Sequence, residues 1–428
     1  MAYSAPKGTR DILPPEIAVW QAVEALYRDV AESFGFSEVR TPCFERTDVF
    51  QRGVGDATDI VQKEMYTFLD KAGRSMTLRP EGTAGVVRCF IQNGLASTAY
   101  PVKLYYAMNL FRYENVQEGR YREFHQLGLE CFGAEGPEAD AEIIALLHVF
   151  FQRLGLRETH LTVNSIGCPV CRAAYEEALR VYYQAHVNEL CPDCKRRLER
   201  NPLRLLDCKE AACHALAMDA PILADYLDDD CRAHFGRLQE NLDELGISYE
   251  INPRLVRGLD YYTRTVFEYV SDHVGTQGTI CGGGRYDRLV GELGGAETAA
   301  CGFAMGQERL LKEMAAQGIH LPVPGKKALF ITAQGEAAAR RARQLAQTLR
   351  MRGIHAETEL CQRSFKAQMK YAGRNGFHTV LILGERELET GLASLRNMKT
   401  GEQREIDVNQ INKLITAVTE EGWQNANG

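Results

Sequence analysis

Two runs of alternating character, Val102 to Asn109 and Phe124 to Phe132, bracket a polar stretch from Glu114 to Glu123. Residues that change face at every step belong on strands. Two such runs joined by a polar loop predict a long antiparallel hairpin. Around it the pattern is mixed. Ile17, Trp20, Val23, Tyr27, Val30 and Phe34 recur at helical spacing until Gly35 stops the run. Phe36 to Thr41 reads as a strand closed by Pro42, Ser75 to Leu78 as a strand, and Ala84 to Ile91 and Ala139 to Leu154 as helices. Strand character returns at Ile247 to Ile251, at Thr265 to Val270, and at Gly278 to Ile280, which leads into Gly282, Gly283 and Gly284. Cys301 to Leu311 starts as a strand and ends as a helix. Between Cys168 and about Gly246, Cys, Asp, Arg and Ala dominate and the spacing is helical, so residues 168–246 read as an inserted helical module.

A chain of 428 residues is too long for one ordinary core, and two or three domains are expected. Leu321-Pro322-Val323-Pro324-Gly325 is a linker. Beyond it the pattern alternates: strand Ala328 to Thr332, helix Glu336 to Arg352, strand Ala356 to Glu359, helix Phe365 to Arg374, strand Thr379 to Leu383, two short strands, and helix Asn409 to Thr419. That predicts a small α/β domain with a mostly parallel sheet over residues 326–428. Residues 1–167 and 247–320 remain as the body of the molecule.

No apolar run approaches the roughly 18 residues that cross a bilayer. The start, MAYSAPKGTRDILPPE, has no apolar segment behind a basic one, so a cytoplasmic protein with no membrane partner is expected. The net charge of −7 argues against wholesale coating of nucleic acid, but it is unevenly spread. From Gly325 onward 16 basic residues face 11 acidic ones, a net +5, while the remainder carries −12. A basic tail domain on an acidic body suits local contact with a polyanion; a solvated surface of mixed charge is the plainer reading.

Neither GxxxxGK[ST] nor a GxGxxG opening a helix after a strand is present, so a bound nucleotide would be held by side chains, for which arginine is the natural choice. Three arginines keep suggestive company: Arg112 in Phe111-Arg112-Tyr113-Glu114, Arg257 before Gly258, and Arg309 in Gly306-Gln307-Glu308-Arg309. Phe111-Arg112-x-Glu114, a polar loop, then Arg122-x-Phe124-x-Gln126 and Glu130 resembles motif 2 of the class II aminoacyl-tRNA synthetases. Gly302-Phe303-Ala304-Met305-Gly306-x-x-Arg309 resembles their motif 3. The helix ending at Gly35, the strand after it and Pro42 resemble motif 1. Leu78-Arg79-Pro80-Glu81-Gly82-Thr83, Arg257-Gly258-Leu259-Asp260-Tyr261-Tyr262 and Cys281-Gly282-Gly283-Gly284-Arg285-Tyr286-Asp287 are similar to elements of the histidyl-tRNA synthetase family of the bacterial type. The resemblance runs over essentially the whole chain.

What the resemblance implies is an α+β catalytic core built on an antiparallel sheet, with the helical insertion and a C-terminal α/β anticodon-binding domain. It implies ligation of L-histidine to tRNA(His) through a histidyl-adenylate, with ATP as substrate and Mg²⁺ bridging its outer phosphates. Arg112 and Arg257 would flank the α-phosphate and Arg309 would hold the tail of ATP, with Glu114 and Arg120 also on the nucleotide. Glu81, Thr83 and Gln126 would take the α-ammonium. Glu130 and Tyr262 would read the imidazole, which offers one donor and one acceptor, with Tyr261 and Tyr286 beside them. For Tyr261, a place in the core fits as well as a place in the site. Gln117, Arg120 and Arg122 would meet the tRNA acceptor end. Tyr113, Asn115, Val116 and Glu118 depart there from the family's usual His, Arg, Pro and a basic or polar residue, which leaves the acceptor-end contacts open. Arg363, Lys366, Lys370 and Arg374 share one helix face suited to phosphates. Pairing of motif 1 helices implies a homodimer. The rival reading is a non-catalytic, histidine-binding regulatory paralogue of histidine biosynthesis, which shares the fold but lacks the C-terminal domain.

The 13 cysteines are not expected to form a disulfide framework, and those in apolar stretches, such as Cys89 and Cys301, are expected to be small buried hydrophobes. Cys168-Pro-Val-Cys171 and Cys191-Pro-Asp-Cys194 have 19 residues between them, a spacing that suits one structural Zn²⁺ on all four. Reduced thiols in a helical insert are the alternative. Cys208 and Cys213 lie close enough to complicate the ligand set.

Overall fold

The computed structural model describes residues 3–55, 58–117, 119–206, 208, 210–271, 273, 278–321 and 329–419. The chain divides into two compact units, Met1–Pro322 and Val323–Gly428. The linker from Pro322 to Gly325, the start of the strand expected at Ala328, and Glu118 lie outside the described residues.

The strands of the first unit, in chain order, are β1 Ser37–Glu38, β2 Phe44–Arg46, β3 Thr67–Leu69, β4 Ser75–Leu78, β5 Val102–Phe111, β6 Glu123–Phe132, β7 His160–Ser165, β8 Glu250–Ile251, β9 Thr263–Val270, β10 Thr279–Arg285 and β11 Ala300–Gly306. Eight of them form one sheet in the order β1-β5-β6-β11-β10-β9-β7-β8. The β5–β6 hairpin is paired along its full length, from Val102 opposite Phe132 to Phe111 opposite Glu123. Every interior pairing is antiparallel, and only the edge strands β1 and β8 run parallel to their neighbours.

The period of two decides what each face of this sheet does. Leu127, Leu129 and Cys131 of β6, Cys301, Phe303 and Met305 of β11, and Phe267 and Tyr269 of β9 all point into one apolar core. The helices Glu16–Ser33 and Pro137–Leu154 cover that core, placing Val23, Tyr27, Val30, Ile143, Leu147 and Phe150 against the strands. The intervening residues on the other face are short or polar: Gln126, Gly128 and Glu130 on β6, and Gly302, Ala304 and Gly306 on β11. That face is left open as the floor of a cleft. Arg285 is fully buried and closes the end of β10, with Nη2 on Gly136 O at 2.8 Å and on Asp140 Oδ1 at 3.2 Å, and Nη1 on Asp287 Oδ1 at 3.1 Å.

Several expectations need correction. The strand expected over Phe36 to Thr41 shrinks to Ser37–Glu38, because the Thr41 carbonyl is taken by the Arg79 guanidinium at 2.8 Å and not by a neighbouring strand. The strand at Ile247 to Ile251 shrinks to its last two residues, while that at Gly278 to Ile280 runs on through the glycine triplet to Arg285. β2, β3 and β7 were not anticipated. Cys301 is buried as expected, but Cys89 is half-buried.

The inserted segment is helical, with helices Pro169–Ala185, Pro192–Arg200, Ala211–Asp219 and Asp229–Glu244. The single centre expected on Cys168, Cys171, Cys191 and Cys194 does not form. Each Cys-Pro-x-Cys pair opens its own helix, and the first helix has 17 residues, roughly 26 Å of rise, so the two pairs stand apart. Cys168 and Cys171 gather with Asp228 and Cys231, and Cys191 and Cys194 gather with Cys208 and Cys213.

The second unit is a five-stranded sheet in the order β13-β12-β14-β15-β16, with β12 Leu329–Ala333, β13 Ala356–Thr358, β14 Thr379–Leu383, β15 Leu392–Asn397 and β16 Gln403–Asp407. Two of its four pairings are antiparallel, where a mostly parallel sheet was expected, because the last two strands fold back as a hairpin. Helices Glu336–Arg350, Phe365–Arg374 and Ile411–Thr419 pack on it.

Candidate active site

The open face of the sheet forms a cleft that brings together Glu81, Thr83, Arg112, Glu114, Arg120, Gln126, Arg257, Tyr261, Tyr262, Tyr286 and Arg309. These residues come from six separate stretches of sequence, and the register of the strands unites them. At its inner end lies Glu130, just beneath the lining. It faces Gly302 across the β6–β11 ladder, where a Cβ would fall 2.2 Å from its Oε2. Its Oε1 accepts from Thr83 Oγ1 at 2.8 Å and from the Tyr106 hydroxyl at 3.2 Å, and its Oε2 accepts from the Tyr286 hydroxyl. Burial pushes the Glu130 carboxyl up to about 8, against the pull of the Tyr286 and Thr83 hydrogen bonds. A buried carboxyl surrounded by hydroxyls and poised near neutrality is a proton-sensitive polar anchor.

Glu81 caps the helix Thr83–Gln92. Its two oxygens accept from the amides of Thr83 at 2.8 Å and Ala84 at 2.7 Å, and burial raises its pKa. Beside it, Gln126 Oε1 is buried without a hydrogen-bond partner, a vacant acceptor of the kind a bound cation fills. Tyr261 lies between Tyr262 and Tyr286, with ring centroids 4.7 Å and 5.5 Å away. All three rings are buried and also line the cleft.

Elsewhere along the lining stand three guanidinium groups, each held by a neighbouring group. Arg112 donates through Nε to Pro80 O at 2.7 Å and lies 5.2 Å from the centroid of Phe124. Arg309 donates through Nη1 to Thr279 O at 3.0 Å, and burial lowers its pKa. Arg257 pairs with Glu268, whose other oxygen accepts from Thr279 Oγ1 at 3.0 Å. The Arg257 guanidinium lies flat over Gly282, where a Cβ would come within 2.4 Å of Nη2. Glu114 approaches Arg112 at 3.8 Å and Arg120 at 3.7 Å, and its Oε2 is buried without a hydrogen bond. Convergent, preoriented guanidiniums beside a polar pocket suit a polyphosphate whose charge changes during reaction.

Gln117 and Arg122 do not line the cleft. Gln117 pairs with Arg120 at the tip of the hairpin loop. Arg122 stacks 3.8 Å from the centroid of Tyr113, while its amide donates to Gly8 O at 2.7 Å. Sequence reasoning missed Tyr106, Glu268 and the steric role of Gly282 and Gly302. Glu268 carried a legible signal, a lone acid in the apolar run Thr265 to Val270. Tyr106 did not, since its ring is wedged against Gly82 and Gly128, and its partners are remote in sequence.

Residues 8–310 match the family model of histidyl-tRNA synthetase, and residues 326–418 that of the anticodon binding domain. A histidine–tRNA ligase from Acetivibrio thermocellus is 55% identical over 96% of this chain and 99% of its own length. One from Caldicellulosiruptor saccharolyticus is 50% identical over 97% and 99%. The crystal structure of apo histidyl-tRNA synthetase from S. aureus superposes with a TM-score of 0.83 at 38% identity, covering 96% of this chain and 99% of that one.

Proposed function

The chain belongs to the histidyl-tRNA synthetase family and acts as a histidine–tRNA ligase, and we propose that its cleft divides the reaction between a histidine pocket at Glu130 and an ATP site at the three arginines. The observation that carries this reading is the single cleft that joins Arg112, Arg257 and Arg309 to Gln126, Thr83 and the three tyrosines.

In the first step the histidine carboxylate attacks the α-phosphorus of ATP, and pyrophosphate leaves. The carboxylate is already the nucleophile, so no general base is required. Catalysis comes from placement and from stabilising the charge that builds on the α-phosphate oxygens. Arg112 and Arg257 flank those oxygens, and Arg309 holds the tail. Gln126, Glu81 and Thr83 receive the α-ammonium, while Glu130, with Tyr286 and Tyr262, reads the ring. A substrate lacking the ring N–H leaves these buried groups unpaired, which costs far more than a lost methylene would. ATP enters as its Mg²⁺ complex, and the metal draws charge from the outer phosphates when bound. Glu114, whose Oε2 is buried without a hydrogen bond, would be the cleft acid to share that ion.

The tRNA 3′-terminal ribose hydroxyl then takes the histidyl group and AMP leaves. Arg120 and Gln117 at the loop tip meet the acceptor end, with Arg122 anchoring the loop. In the second unit Lys366, Lys370 and Arg374 stay exposed on one helix and suit the anticodon backbone, while Arg363 is turned back onto Glu359 at 3.1 Å. A homodimer in the cytoplasm completes the reading. The regulatory alternative is set aside: the relatives are histidine–tRNA ligases matched over nearly their full length, and the second unit matches the anticodon binding domain.

Pyrophosphate exchange with a panel of amino acids tests the assignment. Exchange should depend on histidine alone; exchange with another amino acid, or none at all, would reject it. Deleting the chain from residue 325 onward should abolish most tRNA charging while sparing most of the exchange. Equal loss of both would reject the division between the two units.

A further inference from the structure

Eight residues of the inserted helical module gather into two tetrads. In the inner one, Cys191, Cys194, Cys208 and Cys213 place their sulfurs within 4.8 Å of one another, with Cys191 Sγ and Cys208 Sγ 3.9 Å apart. In the outer one, Cys168, Cys171, Cys231 and an Asp228 oxygen do the same, with Cys168 Sγ 3.6 Å from Cys171 Sγ and 3.1 Å from Asp228 Oδ2. These are not disulfides, whose sulfurs lie about 2.05 Å apart. Four sulfurs each 2.3 Å from a zinc ion would stand about 3.8 Å from one another, close to the 3.9 Å of Cys191–Cys208 and the 3.6 Å of Cys168–Cys171. Three of the four ligands in the inner set are buried.

Backbone amides point at the sulfurs: Cys194 N donates to Cys191 Sγ at 3.4 Å, Cys191 N to Cys213 Sγ at 3.2 Å, and Asp228 N to Cys171 Sγ at 3.1 Å. Cys168, Cys191 and Asp228 are the capping residues of three helices, so each set also sits at positive helix ends. Asp228 Oδ1 is fixed by the Cys231 amide at 2.7 Å, which leaves Oδ2 facing the thiols. The four pairs follow one another in the chain, and they close as first with fourth and second with third.

We propose that the insertion binds two structural zinc ions, one on Cys191, Cys194, Cys208 and Cys213 and one on Cys168, Cys171, Asp228 and Cys231. Both sets fill four positions with protein ligands and leave none for substrate, the mark of a structural site. Each thiol that binds gives up its proton. The ions hold the helix ends that brace the Arg257–Tyr262 segment. Arg172, next to Cys171, donates to the carbonyls of Asp260 and Tyr262, and Asn201, at the end of the helix Cys191 opens, donates to Asp260 Oδ1 at 2.9 Å.

Elemental analysis of the purified full-length chain should find two zinc ions per chain. Cys194→Ser with Cys208→Ser should leave one, as should Cys171→Ser with Cys231→Ser, and Cys43→Ser with Cys361→Ser should leave both. Should a variant fail to fold, the wild-type chain suffices. Exchange into Co²⁺ should give the thiolate charge-transfer and strong visible bands of tetrahedral sulfur ligation, and all 13 cysteines should react as thiols after denaturation with a chelator. One ion or none per chain, iron in place of zinc, or missing thiols would overturn the assignment.

Discussion

The floor of the cleft and the inserted module hold their polar groups in opposite ways. On the floor the most deeply buried charges draw on partners far off in sequence. Glu130 is held by Thr83, Tyr106 and Tyr286, which are 47, 24 and 156 residues away, and Arg285 by Asp140, 145 residues away. In the insertion the ligand sets are made of pairs three to five residues apart, each at or next to the start of a helix. The floor is correct only when the whole sheet is assembled. The insertion is specified by short spacings. The difference separates what chemistry demands of a site from what a small module needs to hold together.

The sharpest way to break the comparison is Arg257→Ala. If the floor works through preoriented charge, histidine-dependent pyrophosphate exchange should fall by about 10²- to 10³-fold, with histidine affinity little changed. Near-normal exchange would end the assignment. Gly282→Ala probes the same group from beneath. The added methyl meets the end of a flexible side chain, so the fold should survive while Arg257 is displaced. Exchange should drop by roughly 10- to 100-fold at an unchanged melting temperature; a drop in melting temperature with kinetics intact would make Gly282 purely structural.

Glu130→Gln tests the floor without ligand. The folded carboxyl ionises near 8 and an unfolded one near 4.5, so between those values the native state binds more protons than the unfolded state. The stability contributed by protonated Glu130 is therefore complete below pH 4.5 and is lost as pH rises to about 8. Melting curves of the histidine-free chain should show the Gln variant gaining on wild type across that window, and parallel curves would refute the buried-acid account. The smallest effect is expected from the insertion side. Asn201→Ala removes one hydrogen bond to Asp260 and should cost about 1 kcal/mol and a few-fold in exchange. A loss as large as that of Arg257→Ala would show that the two regions are not separable.

The same contrast explains what could be read in advance. The β5–β6 hairpin, the long helices and the alternation of the second unit were legible because period-two and period-3.6 patterns are local. β7 was readable in principle, since Leu161 and Val163 alternate with His160, Thr162 and Asn164, but it is short. The arginines stood out by chemistry, whereas Glu130 came only through the resemblance to motif 2. Tyr106 gave no such sign, because a tyrosine in a strand looks like core until its hydroxyl is seen at Glu130. The cysteine spacing pointed to one four-cysteine cluster but grouped the pairs wrongly. It could not show that a helix of 17 residues separates the two pairs.

The nesting of the two tetrads sets an order of assembly. Cys194 and Cys208 lie 14 residues apart, whereas Cys171 and Asp228 lie 57 apart. Two doublings of loop length make the outer closure about 1 kcal/mol harder. Synthesis runs the same way: the inner set is complete once Cys213 has emerged, before Asp228 and Cys231 and long before β9, β10 and β11. The insertion can thus be clasped while half of the cleft floor is still unmade. The Arg257–Tyr262 segment, arriving later, folds against a surface already in place.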